Sequence, residues 1–165
     1  MLDNLEKFME ELKAFDARDE LASIVEAHTD LIIDMQSDQW MEGRGVDGEY
    51  IRPFYSENPY FKTPEAAERY AKWKQKITPN PQRPVDVPNL YINGYLHSTL
   101  YAIVTGKDTL DPQFMIDAEA GFADRVFAVH KNAVGLNEEK RLLFAENITL
   151  TEFAKVLKLK TGLEI

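Results

Sequence analysis

An α+β fold is predicted: N-terminal helices, a long Gly- and Tyr-bearing arm, a small antiparallel sheet built on a hairpin, and C-terminal helices. Three observations carry it. Apolar residues recur at helical spacing towards both ends of the chain. A run of β-formers over 96–104 breaks at Gly106-Lys107-Asp108 and is followed by an alternating segment. Residues 42–62 hold glycines and tyrosines with no periodicity. The 165 residues, 44% hydrophobic and 28% charged, suffice for one domain over 1–165. Its parts are a helical start over about 1–41, the arm over 42–62, and a helix, hairpin sheet and C-terminal helices over 63–165.

The opening helix rests on Leu5, Phe8, Met9, Leu12 and Phe15, with Asp3 and Glu6 as a loose capping box. Asp19 starts a second helix through Leu21, Ile24, Val25, His28, Leu31, Ile32 and Met35, running to about Met41, where glycines end it. In the arm, Tyr55, Tyr60 and Phe61 must bury against the body or against another chain. Thr63-Pro64-Glu65 is a helix start, because an N-cap hydroxyl, a proline without an N–H and an early carboxylate all suit the first turn. Ala66, Ala67, Tyr70, Trp73 and Ile77 form that helix's apolar face. Pro79, Pro81, Pro84 and Pro88 then enforce an extended connector.

Leu90-Tyr91-Ile92 leads through Asn93-Gly94 into a strand over 96–104, with Gln113–Asp117 as its partner. Two strands alone are marginal, so a further strand or packed helices must support them. A short helix follows Gly121 and ends near His130 or Lys131. Asn137 caps the next, Thr149 with Glu152 caps the last, and Gly162 stops it.

Composition narrows the chemistry. With no cysteine there is no disulfide framework, thiolate zinc site or cysteine nucleophile. No stretch has the length of apolar sequence that a membrane span needs, and the acidic, amphipathic start carries no secretory signal, so a soluble intracellular chain is expected. The net charge of −9 argues against phosphate-backbone binding, and sequence-specific contact with nucleic acid is not expected. Charge is uneven, however. Residues 62–83 carry net +4, leaving −13 for the rest. That is either a solvated helix face or a basic segment that meets an acidic neighbour in head-to-tail assembly.

Gly43, Gly45 and Gly48 match the dinucleotide fingerprint in spacing, but a helix precedes them and Tyr50-Ile51-Arg52-Pro53 follows, so they read as a glycine turn. His28, His97 and His130 share no metal-ligand spacing. His97 and Ser98, adjacent on the predicted strand, point to opposite faces and form no dyad. Tyr70 and Trp73 among Lys72 and Lys74 suit base stacking, but at helical spacing they read as core. No catalytic, metal or cofactor site is assigned. A carboxylate-based hydrolase stays open only if two carboxylates converge in space.

The order of features resembles bacteriophage virion-morphogenesis and tail-completion proteins, the small neck proteins joining head to tail. The resemblance covers about residues 30–165 and rests on short motifs: the Gly43–Gly48 turn, Tyr55-Ser56 with Tyr60 before a lysine-rich helix, and the proline link from Pro79. It continues through Leu90-Tyr91-Ile92-Asn93-Gly94 into the hairpin and His130-Lys131-Asn132-Ala133-Val134-Gly135-Leu136-Asn137. Asn93 stands where the family usually has threonine or serine, and the arginine-rich C-terminal signature of some relatives is absent. The resemblance implies a non-enzymatic structural protein of the virion neck or tail, assembled in the host cytoplasm. Its implied partners are copies of itself in a ring and neighbouring portal-side or tail-side proteins. Arg52, Tyr55, Tyr60, Phe61, Gly106, Lys107 and Asp108 are the expected contact residues, chosen for unpatterned aromatics and an exposed turn. The alternative is a small non-enzymatic adaptor that binds a single protein partner.

Overall fold

Asp16 opens the first helix in the computed structural model, which describes residues 15–79 and 81–162. Its carboxylate accepts from the Arg18 N–H at 3.0 Å, satisfying a donor that a helix start leaves over. Helix α1 spans Ala17–Ala27 and α2 spans Thr29–Met41. The single helix expected from Asp19 is therefore broken at His28. There the backbone N–H turns back to the Val25 carbonyl at 3.1 Å, and ring Nδ1 lies 2.9 Å from the Ile24 carbonyl. The end at Met41 agrees with expectation. The helix predicted on Leu5, Phe8, Met9 and Leu12, with its Asp3–Glu6 cap, lies outside the described residues.

Helix α3, Pro64–Ile77, starts as its sequence dictates: Pro64 takes the first turn and Thr63 Oγ1 accepts from the Ala66 N–H at 3.2 Å. Its inner face differs from expectation. Ala67, Ala71 and Lys74 are buried, whereas Trp73 stands 45% exposed. Thr78 ends the helix, its N–H and hydroxyl both donating to the Lys74 carbonyl. The proline-rich connector follows without regular structure.

The strand expected over 96–104 begins later. Asn93 Oδ1 accepts from the Tyr95 N–H at 3.1 Å and Gly94 takes φ +82°, which together launch one helical turn, α4, Tyr95–Ser98. His97 and Ser98 are thus on a helical turn, and the argument from opposite strand faces does not apply to them. Strands β1, Leu100–Thr105, and β2, Gln113–Ala118, pair as an antiparallel hairpin, and the sheet has two strands among the described residues. Gly106 at φ +65° turns the chain, and its carbonyl accepts from the Thr109 N–H and hydroxyl at 3.0 and 2.7 Å.

Helix α5 spans Ala123–Val129. Helix α6, Glu138–Phe144, is capped by Asn137 Oδ1, which accepts from the Lys140 N–H at 2.9 Å. A π-helical turn, Ala145–Thr149, then carries α6 directly into α7, Leu150–Thr161. The expected Thr149–Glu152 capping box is accordingly not formed. Thr149 is itself helical at φ −60°, ψ −52°, so the segment has no helix start to cap, and Glu152 pairs instead with Lys155 at 2.8 Å. Gly162, at φ +72°, ends α7 as predicted.

The fold is α+β. Contacts gather the chain into two compact units. Among the described residues, unit 1 takes 15–29, 103–115 and 142–162, and unit 2 takes 30–102 and 116–141. In unit 1, α1 packs with α7, Phe15 lies 5.9 Å from Phe153, Phe114 lies 6.3 Å from Phe144, and Lys160 pairs with Glu20. Unit 2 is centred on Ile32, Trp40, Ile51, Ala133 and Leu136, all sealed from solvent.

Candidate functional site

Two glutamines and a tryptophan on one face of α2 organise the centre of unit 2. Gln36 donates to the Ala133 carbonyl at 3.3 Å and accepts from the Gly135 N–H at 2.7 Å. Gln39 donates to the Gly135 carbonyl and accepts from the Asn137 N–H, both at 2.8 Å. Trp40 Nε1 donates to the Ala133 carbonyl at 2.7 Å. Every buried polar atom in this set has a partner, as an interior requires. The result is a rigid 133–137 loop, its backbone held as a strand would be held by a neighbour.

Residues 42–62, expected as a loop or arm, form a loop folded onto the same unit. Arg44 bridges to Tyr50, the Val46 N–H donates to the Asn132 carbonyl at 2.7 Å, and Ile51 is sealed. The glycines serve this packing. A Cβ on Gly45 would sit 2.4 Å from the Asn132 carbonyl oxygen, a backbone atom with little room to yield. Gly45→Ala is therefore expected to cost about 1–3 kcal/mol, read as a lower urea midpoint by circular dichroism. Gly48→Ala meets no neighbour but has φ +77°, so its smaller penalty comes from the backbone alone.

Unit 2 also holds a cavity of about 150 Å³, lined by Tyr55, Tyr70, Lys74, Leu96, Val126 and His130 among others. Lys74 reaches it from the inner face of α3 and is 2% exposed. Burial, and the nearby Arg83 cation, push its pKa down to about 7. Arg83 is also buried, and burial lowers its pKa. Its Nη1 donates to the carbonyls of Pro84 and Val85 at 3.0 and 3.3 Å, while Nε and Nη2 have no partner among the described residues. The guanidinium lies 5.9 Å from the centre of the Tyr55 ring. Burial raises the Tyr55 and Tyr70 phenols, so both stay protonated at neutral pH.

The two histidines of unit 2 are held neutral. Burial lowers both pKa values, against the opposing pull of a backbone carbonyl in each case, and Lys74 lowers His97 further. His130 Nδ1 donates to the Arg52 carbonyl at 2.9 Å. His97 Nε2 donates to the Asn89 carbonyl at 3.3 Å, so its Nδ1 accepts from the Ser37 hydroxyl at 2.6 Å. Both are structural pins. No group of three or more His, Cys, Asp or Glu that could hold a metal ion is found among the described residues, and no described helix is long and apolar enough to cross a membrane.

The sequence-chosen contact residues divide between the units. In unit 2, Arg52 is exposed, pairs with Glu57 at 2.6 Å and stacks on Phe54 at 4.0 Å. Tyr55 is buried against Phe61 and Tyr70, with ring centres 6.5 and 5.2 Å away, so its side chain belongs to the core of its own unit. Tyr60 is 82% exposed beside the half-buried Phe61. Gly106, Lys107 and Asp108 form the hairpin turn in unit 1, where Lys107 pairs with Glu26. Lys74 and Arg83 were counted in the basic 62–83 segment, yet both are interior. The visible signal for Lys74 was its position in phase with Ala67 and Ala71.

The chain was compared with protein-family models, with characterised proteins and with solved structures, and none of the three comparisons finds a match.

Proposed function

We propose that the chain is a structural, non-enzymatic subunit of a bacteriophage virion, a ring-forming neck, connector or tail-completion protein. One observation supports this reading beyond the order of sequence motifs. The hairpin in unit 1 leaves Ile103, Leu110 and Met115 exposed, at 49%, 69% and 60%. Large apolar side chains gathered on one exposed element mark an association surface, and a two-stranded sheet offers outer edges to which a further strand can add. A ring needs such a surface on each copy together with a different complementary one, so that the contact repeats and closes.

The test is co-expression with the products of neighbouring genes, followed by electron cryomicroscopy of the particles. The expected result is a ring of this chain at a symmetric junction. Combining Ile103→Lys with Met115→Lys places two cations on the hairpin surface. It is expected to abolish incorporation while changing the unfolding midpoint little, since exposed positions tolerate substitution to within about 0.5 kcal/mol each. Particles that assemble fully with the doubly substituted chain would remove the hairpin from the interface. A chain that never enters a particle and binds one partner as a monomer would instead make it an adaptor.

A further inference from the structure

We infer that the cavity beside Lys74 is a binding site for a small carboxylate carrying an apolar body of about benzoate size. The inference is independent of the assembly reading, because it rests on the interior of unit 2.

The observation behind it is an unbalanced interior charge. Lys74 is 2% exposed, lines the cavity, and makes no hydrogen bond or ion pair among the described residues, while its ammonium keeps accessible surface through the cavity. Ammonium groups at such depth are ordinarily matched by a carboxylate, because leaving water without a partner is costly. Among the described residues no Asp or Glu lines the cavity. The nearby buried cation, Arg83, leaves two of its nitrogens unpartnered and so deepens the imbalance. Asp86 does not correct it, being occupied by the Ser56 N–H and hydroxyl. Protonated, Lys74 presents a positive charge to the cavity with no carboxylate set against it among the described residues.

The walls narrow the ligand. Leu90, Ile92, Leu96, Phe122 and Val126 give the cavity its hydrocarbon lining, of which Ile92 and Phe122 are themselves exposed. A phosphate or sulfate would meet one cation and an otherwise mostly hydrocarbon lining. A carboxylate on a ring or short alkyl body puts its charge at Lys74 and its hydrocarbon against those walls. The volume of about 150 Å³ matches a single six-membered ring, since an apolar cavity of about that size takes up benzene. The protonated phenols of Tyr55 and Tyr70 line the same space and supply neutral donors for the second carboxylate oxygen.

Calorimetric titration of the full chain with benzoate, and with neutral benzamide as its isostere, tests the site, with amide chemical shifts locating the response. Expected are saturable one-to-one binding of benzoate, shifts at Leu96, Val126 and His130, and at least roughly tenfold weaker binding of benzamide. Lys74→Met is expected to weaken benzoate by a similar factor. The ligand needs a protonated Lys74, whose charged and titratable neighbours are Arg83, His97, Tyr55, Tyr70 and His130. Affinity is therefore expected to fall roughly tenfold from about pH 6.5 to 8.5. Absence of saturation at millimolar benzoate, equal binding of benzamide, or affinity that does not change with pH would each overturn the site. The benzamide and pH comparisons use the unaltered chain, so the test stays decisive even if Lys74→Met does not fold.

Discussion

Trp40→Ala is expected to lower the unfolding free energy by about 3–5 kcal/mol, the range for truncating a fully buried large aromatic. Trp40 has no exposed surface, lies 5.2 Å from the His97 ring and 6.0 Å from the Phe127 ring, and donates to the Ala133 carbonyl. Its removal opens a void between α2, α4 and α5 within unit 2. The lost hydrogen bond is the smaller part of the effect, because Gln36 also donates to the same carbonyl and leaves it partnered. Urea unfolding followed by far-ultraviolet circular dichroism measures the change. Trp73→Ala, at a 45% exposed position, is the control and should cost about 1 kcal/mol or less. Equal midpoints for the two variants would mean that Trp40 does not hold the centre of the unit.

Lys74→Met is expected to change stability in the opposite direction. The Lys74 pKa falls from its ordinary 10.5 to about 7 in the folded chain, chiefly through burial and then through Arg83. Between those values the unfolded chain binds a proton that the folded chain does not, so stability rises with pH across the window from about 7 to 10.5. As pH falls through about 7 that contribution is lost, and the folded chain carries a buried charge whose cost is on the order of 4 kcal/mol. Methionine fills a similar volume without the charge. The variant should therefore gain about 2–4 kcal/mol at pH 6 and lose the alkaline slope. His97 and His130, whose pKa values burial also lowers, still destabilise both proteins on further acidification. Denaturant midpoints measured at pH 6, 8 and 10 decide it, and parallel curves for the two proteins would mean that Lys74 titrates normally.

Where a few neighbouring residues decide the backbone, the sequence was readable. Thr63-Pro64, Asn137 and Gly162 act through one bond or one φ angle, and each does what its chemistry implies. The failures have a shared cause, which is a competing local bond or a tertiary partner. The β-formers at 96–99 lost to the Asn93–Tyr95 bond and the Gly94 turn, and the Thr149 cap lost to a helix arriving from upstream. Nothing in the local sequence marks Gln36 and Gln39 as interior, because only the distant 133–137 backbone gives them a reason to be inside. Lys74 was hidden by its neighbours: counted by charge it belonged to a basic face, while counted by helical phase it belonged to the core.

The division of the chain also sets an order in time. Synthesis proceeds from the N-terminus, and every residue of unit 2 has been made once Arg141 has been added. Unit 1 must wait for the segment from Leu142 onward, although its first helix and the tip of its hairpin were made long before. A nascent chain at that stage holds all the residues of a closable unit 2, with Phe114 still lacking the Phe144 ring that it meets in the finished protein. Until the segment from Leu142 has left the ribosome, the hairpin tip lacks its partner in unit 1, and an unpaired apolar element of this kind is where a chaperone would first take hold.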